Sequence, residues 1–239
     1  SALVYINNGT LIQVRDEVVV GAGESWYIPN YIQEQYGLNT IEDVLARPDL
    51  FPHPEDSSKG GIVICPEGWS CKKHNENLFR AFDMEAKGWK IIDPGSGTGL
   101  NAFWEGQVVK EKGAFGYYWA PTAILGKYPM KKLSFDVPHD NDEWNNCTSQ
   151  EDCADPQKNS WVVSSVYTVV TDNFKQKAGI GMDYIVKRAL PNKTINALLA
   201  WKDDNQATGE DAAMHFLSNY SEWHDWVDGS ARAKVESAL

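Results

Sequence analysis

Long apolar runs are missing from this chain: nowhere does it approach the roughly 18 consecutive apolar residues of a membrane span. Its first residues, SALVYINNGT, also lack the charged start and apolar middle of a secretory leader. An exported form is therefore expected to be one from which a leader has been removed. Basic residues are few, 22 Lys and Arg against 33 Asp and Glu, giving a formal net charge of −11. That balance argues against nucleic acid phosphates or anionic membranes as partners. It does not specify a cationic ligand, because an ordinary solubilising surface has the same sign. The GxSxG, HExxH and CxxC signatures are absent, and none of the five histidines stands beside an obvious nucleophile, so no enzyme and no cofactor is expected.

Cysteine is scarce too, and its four copies fall as two pairs of equal spacing, Cys65 with Cys71 and Cys147 with Cys153. Two disulfides are the simplest account. A zinc site would want shorter spacings, and neither His74 nor His139, each near one pair, completes a familiar ligand pattern; free thiols are the remaining alternative. Paired cysteines imply an oxidising compartment, a periplasm or cell exterior.

The 239 residues, 42% of them hydrophobic, suffice for one large or two small cores. From residue 15 to 135 strand-like and helical runs alternate. VVVGA (18–22) precedes helical runs at 29–36, closed by Gly37, and at 40–47, where Thr40 and Asp43 have capping-box spacing. The strand GIVIC (61–65) precedes a helix expected over 75–87, with Leu78, Phe79, Phe82 and Ala86 on one face and Gly88 as its stop. KIID (90–93) leads through PGSGTG (94–99) into another helix, and FGYYWA (115–120) and LSFDV (133–137) read as strands. This alternation predicts an α/β lobe with a largely parallel sheet. Residues 138–160 break it with a polar, acidic hairpin or loop holding the second cysteine pair. WVVSSVYTVVT (161–171) then alternates like a strand, and the remainder reads as helices over 172–190, 194–201 and from 209 onward, with Phe216, Trp223, Trp226 and Val227 on a core face.

Two stretches resemble ion sites without matching one. PGSGTG lacks the Lys-Ser/Thr ending of a P-loop and the glycine spacing of a dinucleotide fingerprint, so it reads as a strand-to-helix turn bordering a cleft. Asp140, Asp142, Glu143, Glu151, Asp152 and Asp155 offer the hard oxygen ligands that calcium takes, but not at EF-hand spacing; a solvated acidic hairpin is the default reading, calcium the alternative.

Aromatics are the informative excess: ten Trp and ten Tyr. Trp69, in CPEGWSC (65–71), stands between Gly68 and Ser70 on a loop rather than in an apolar periodic run, and Trp119, in GYYWAPTAILGKY (116–128), ends a strand. Both follow strands, where open α/β sheets place their ligands.

With these two motifs and the final GEDAAMHFLSNYSEWHDWVDG (209–229), the chain from Arg15 onward resembles the glycine betaine-binding proteins of ABC importers, the betaine, carnitine, choline and trimethylamine N-oxide group of periplasmic binding proteins. The resemblance implies a type II periplasmic binding protein fold, two α/β lobes closing like a hinge, with a quaternary ammonium in a box of Trp faces. It implies a division into 1–20 (partial lobe one and crossover), 21–137 (lobe two), 138–160 (the disulfide hairpin) and 161–239 (a mainly helical return to lobe one). Trp69 and Trp119 would be two walls, and the backbone N–H groups of Ser70 and Cys71 would hold a ligand carboxylate. An ABC permease is the implied partner and the periplasm the implied location. Family members carry a further N-terminal part with another Trp wall, so lobe one is expected to be incomplete. Trp26, in ESWYIPN, is the best local substitute, with packing as its competing role, and Trp161 a weaker one.

The chemistry suits such a ligand. A trimethylammonium donates no hydrogen bond, so it must be recognised by shape and by the negative face of aromatic rings. A ring closed by Cys65 and Cys71 contributes only about 2 kcal/mol through chain entropy, so much of its value lies in preorganisation. Two cation–π contacts at about 1–2 kcal/mol each and two charge-assisted hydrogen bonds at about 1.5–3 each give a gross 5–10, against roughly 8 net for micromolar affinity. Two walls alone thus predict weak binding. For trimethylamine N-oxide, which lacks a carboxylate, the Ser70 and Cys71 amides would matter less and a water-linked acid such as Glu67 more. A sugar-binding module is the alternative of another class, but the fan of polar side chains it needs is not evident.

Overall fold

The computed structural model describes residues 2–239. The chain divides into two compact units. One comprises Gly23–Trp119 and Lys127–Val163, the other the chain before Gly23, Ala120–Gly126 and Ser164–Leu239.

The first unit is built on a six-stranded mixed sheet. Asp56–Val63 is its hub, parallel to Trp89–Ile92, with Ile62 opposite Ile91, and parallel to Gly116–Ala120 through Val63 and Gly116. The short Pro52–His53 runs antiparallel to it. Gly23–Pro29 follows Gly116–Ala120 in the strand order and carries antiparallel Met130–Lys132 on its other side. The sheet is therefore mixed rather than largely parallel: Pro52–His53 returns through a tight turn, which cannot join parallel strands, and Met130–Lys132 also runs antiparallel to its neighbour.

Gly23–Pro29 is the strand the sequence pattern hides. It has five consecutive buried residues from Ser25 to Pro29, so the polar alternation that betrays a half-exposed strand is missing. LSFDV, by contrast, buries Leu133 and Phe135 but forms only an isolated bridge, Thr40 to Ser134, and WVVSSVYTVVT is a strand only over Thr168–Thr171. The capping box forms as read: Thr40 accepts from Asp43 N, and Asp43 accepts from the Thr40 amide. Gly37 closes Asn30–Tyr36 in the left-handed conformation.

Aromatic residues fill this unit's core. Trp26 meets Phe115 and Phe135 at ring-centroid distances of 5.7 and 5.1 Å, and Trp89 meets Phe115 at 5.3 Å. Three fully enclosed indoles have their N–H groups paired: Trp26 donates to Asn75 Oδ1, Trp89 to the Leu45 carbonyl and Trp104 to the Tyr117 carbonyl.

The second unit has two two-stranded ladders, Leu11–Arg15 antiparallel to Thr168–Thr171 and Val19–Val20 parallel to Leu190–Pro191. The rest is helical. The expected helix over 172–190 is two, Asp172–Lys177 and Ile180–Lys187, parted at Gly179 with φ of 52°. The expected C-terminal helix breaks after Asn219, passes through a 3-10 turn at Glu222–Trp226, and restarts at Gly229 where the Asp228 side chain accepts from Ala231 N. Phe216, Trp223 and Trp226 form its core cluster, as their spacing predicts. Among the described residues no helix is long and apolar enough to cross a membrane.

Candidate functional site

CPEGWSC folds as a turn that becomes a helix. Trp69 N donates to the Pro66 carbonyl at 3.3 Å, and Gly68 takes φ of 84°, the left-handed value the third position of such a turn demands. Cys65 and Cys71 close a disulfide with Cα atoms 5.9 Å apart. The helix that follows is Ser70–Ala81, five residues earlier at its start than the apolar pattern predicts. The reason is its N-cap. Trp69 occupies that place and offers no side-chain acceptor, so neither the usual capping signal nor a cap hydrogen bond exists. The N–H groups of Ser70 and Cys71 thus start a helix with no side chain bonded to them, a place that favours an anionic group.

Trp69 is 38% exposed although its indole is the largest side chain on the turn. Its ring lies 5.4 Å from that of Trp119, at 70°, so the two indoles form a corner. Trp119 in turn stacks on Tyr118 at 4.7 Å and 26°, and leans toward Tyr117 at 6.1 Å. Tyr117 is buried and its hydroxyl donates to Glu24 Oε1 at 2.6 Å; burial first, then the Glu24 charge, pushes its ionisation well above the usual tyrosine range. Tyr117 stays a neutral donor, fixed behind Trp119. The acid Glu67, on the same turn, forms an ion pair with Lys72, which also reaches Glu76 at 3.3 Å; the Glu67 bond holds the Lys72 ammonium above its ordinary range.

The structure therefore brings Trp69, Trp119, Ser70 and Cys71 together in one unit and keeps Trp26 apart from them. Trp26 is fully buried and presents no ring face; it takes the packing role that competed with a wall role in the sequence. Its link to the site runs through Asn75. That side chain accepts from Trp26 Nε1 at 2.6 Å and donates to the Cys71 carbonyl at 2.8 Å and to Cys65 Sγ at 3.4 Å, tying the disulfide ring to the core. Nothing in the sequence singles out Asn75, since a polar residue on an apolar helix face carries no periodic signal. Trp161 is also largely buried, packed on Tyr117 at 5.5 Å and Trp144 at 5.4 Å.

The acidic hairpin closes its own disulfide, Cys147 to Cys153, with Cα atoms 4.8 Å apart. It is clamped to the helix Ser70–Ala81: Asn77 Nδ2 donates to the carbonyls of Cys147, Thr148 and Gln150, and Arg80 Nη2 to that of Cys153. Asp140 accepts from Asp142 and Glu143 N, and Glu143 from Gln157 N, so two of its acids serve local backbone. Among the described residues no three His, Cys, Asp or Glu side chains gather as a metal ion would need.

Comparisons with known proteins bear on the fold and the family. No curated protein matches the chain. Solved structures do. A choline-binding protein of an ABC transporter, in complex with choline, is matched with a TM-score of 0.56 at 16% identity, over 99% of this chain and 75% of that one. The glycine betaine/L-proline-binding protein ProX from Borrelia burgdorferi gives 0.57 at 12% identity, over 98% and 77%. Lactococcal OpuAC, closed and complexed with glycine betaine, gives 0.54 at 18% identity, over 91% and 71%. The shared fold is that of type II periplasmic binding proteins. Residues 5–219 match the model of the family OpuAC, described as the substrate-binding domain of the ABC-type glycine betaine transport system, and the chain belongs to that family.

Proposed function

We propose that this chain is an extracytoplasmic solute-binding protein that captures a methylated amine, glycine betaine first among them, in the corner formed by Trp69 and Trp119 and delivers it to an ABC permease. The family is one of binding components and not of enzymes. The observation that carries the reading is the half-exposed Trp69 ring at 70° to Trp119, beside a helix start to which no side chain is bonded. A trimethylammonium rests against the ring faces, where its diffuse charge meets the negative quadrupole. The carboxylate of glycine betaine accepts from Ser70 and Cys71 N–H, aided by the positive end of the helix dipole. Choline, with a hydroxyl, and trimethylamine N-oxide, with one oxygen, make less of that helix start. For the N-oxide, Glu67 would have to leave Lys72 to assist. Two disulfides in a short span of chain support an oxidising location such as the periplasm.

Isothermal titration with glycine betaine, choline, carnitine, trimethylamine N-oxide and tetramethylammonium tests the reading. Glycine betaine is expected to bind most tightly, and tetramethylammonium, which keeps the cation and lacks the acceptor, at least tenfold more weakly, a gap of about 1.4 kcal/mol. Binding of tetramethylammonium as tight as glycine betaine would remove the role given to Ser70 and Cys71. Absence of binding to all five would overturn the reading.

A further inference from the structure

The loop PGSGTG holds a glycine whose Cβ, if it had one, would meet the Trp69 ring and nothing else within 4 Å among the described residues beyond its own helix and chain neighbours. Gly97 opens the helix Gly97–Val108, capped by Ser96, whose hydroxyl accepts from Gly99 N at 3.0 Å. A Cβ on Gly97 would stand 3.0 Å from Trp69 Cζ2 and 3.3 Å from Cη2, close enough that the indole would have to give by a few tenths of an ångström. The backbone does not ask for glycine here, because Gly97 is not among the residues of positive φ. Its neighbours differ. Gly95 has φ of 70°, and a Cβ on Gly99 would collide with the Pro94 carbonyl oxygen at 2.0 Å. At Gly97 the missing methyl is explained by the indole alone.

We infer that Gly97 is a positioning and specificity-determining residue: its bare Cα is the seat of the six-membered edge of Trp69 and so sets where one wall of the corner stands. This rests on the proposed role of Trp69 as a ligand wall. Ring and backbone contact each other across two loops, 65–71 and 94–99, and the second loop acts as a backstop. A methyl at Gly97 pushes the indole off that backstop and changes its spacing from Trp119, whose centroid is 5.4 Å away. Cation–π attraction and close packing of methyl groups both depend steeply on that spacing. Stability responds in the opposite sense. Alanine is a better helix residue than glycine at a compatible backbone and reduces the freedom of the unfolded chain.

Gly106, in the same helix, has nothing within 4 Å of its would-be Cβ and serves as the control. The test compares the parent chain with Gly97→Ala, Gly97→Ser and Gly106→Ala. Three quantities are read: melting temperature, affinity for glycine betaine and dimethylglycine, and the fluorine resonance of Trp69 in protein labelled with 5-fluorotryptophan, assigned by its disappearance in Trp69→Phe. Gly97→Ala is expected to keep or raise the melting temperature, move the Trp69 resonance, weaken glycine betaine by about fivefold or more, and change the preference for three methyl groups over two. Gly106→Ala should raise the melting temperature and leave resonance and affinities in place. Should Gly97→Ala destabilise the chain, Gly97→Ser carries the same comparison, since serine adds the same Cβ and is favoured at helix starts. An unmoved Trp69 resonance, or affinity within twofold of the parent in both Gly97 variants, overturns the inference. If the parent binds no methylated amine, the proposed function fails, and the Trp69 resonance alone decides whether Gly97 positions the ring.

Discussion

Trp26, bonded to Asn75, and Trp69, on the disulfide-closed turn that Asn75 also holds, behave as opposites. Trp26 is fully buried among Phe82, Phe115 and Phe135, with its N–H donated to Asn75. Trp69 sits on a disulfide-closed turn with 38% of its surface open, one edge on Gly97 and its ring at an angle to Trp119. The same side chain supplies stability in one place and an accessible π face in the other. What separates the two uses is whether the surroundings satisfy the whole ring. Trp26 is enclosed on all sides and its N–H is paired, whereas Trp69 is supported along one edge and left partly open to solvent.

The largest break in this comparison is Trp26→Ala. It removes a fully buried aromatic and strands Asn75 Oδ1, so a loss of about 3–5 kcal/mol is expected, read by chemical denaturation. A loss under 1 kcal/mol would show that Trp26 does not anchor the unit. Next is removal of the ring that joins the two tryptophans. Replacing Cys65 and Cys71 together with Ser should cost about 2 kcal/mol of stability by the chain-entropy estimate. It should also weaken ligand binding, because the turn holding Trp69 loses its closure. The matching replacement at Cys147 and Cys153 should lower stability by a similar amount and leave ligand affinity within twofold, since the hydrogen bonds that clamp that hairpin to the helix are made by Asn77 and Arg80, beyond Ser70 and Cys71. Equal effects of both pairs on affinity would contradict the division of labour.

Smaller on stability but sharper on function are Trp69→Ala and Trp119→Ala. Each removes one cation–π wall worth about 1–2 kcal/mol, so affinity for glycine betaine should fall about tenfold or more in either. Trp69→Ala should cost about 1–2 kcal/mol of stability, less than Trp26→Ala, because 38% of its surface is already open. Unchanged affinity in both variants would sink the corner as the binding site.

How far the sequence reveals this depends on where each signal originates. Trp69 and Trp119 are legible because each breaks a local rule, a large aromatic among small polar residues or at a strand end, and such violations mark sites. The capping box at Thr40 and the stop at Gly37 are legible because capping chemistry is local. Gly23–Pro29 is not, since a strand covered on both faces loses its alternation, and the start of Ser70–Ala81 is not, since its cap residue, Trp69, has no side-chain acceptor and so gives no capping signal. Asn75 and the contact of Gly97 with Trp69 are long-range facts. Only the folded chain brings Trp26 to Asn75 and Gly97 to Trp69.

The smallest effect probes the far side of the same helix. His74, on Ser70–Ala81, packs against Trp144 at 4.9 Å and Trp161 at 5.8 Å. Burial first, then the Lys73 charge, lowers its ionisation from 6.5 to about 4. A histidine depressed in the folded state is protonated more readily in the unfolded chain. Its contribution to stability is therefore complete above about pH 6.5 and declines as the pH falls from there toward about 4. The melting temperature of the parent chain should drop between pH 7 and about pH 5, and His74→Phe, which keeps an aromatic ring and cannot be protonated, should reduce that drop. An equal drop in parent and variant would mean that His74 is not held neutral by its aromatic surroundings. Ligand affinity at pH 7 should be the same in both, because His74 is neutral there and its ring contacts lie with Trp144 and Trp161 rather than with Trp69 and Trp119.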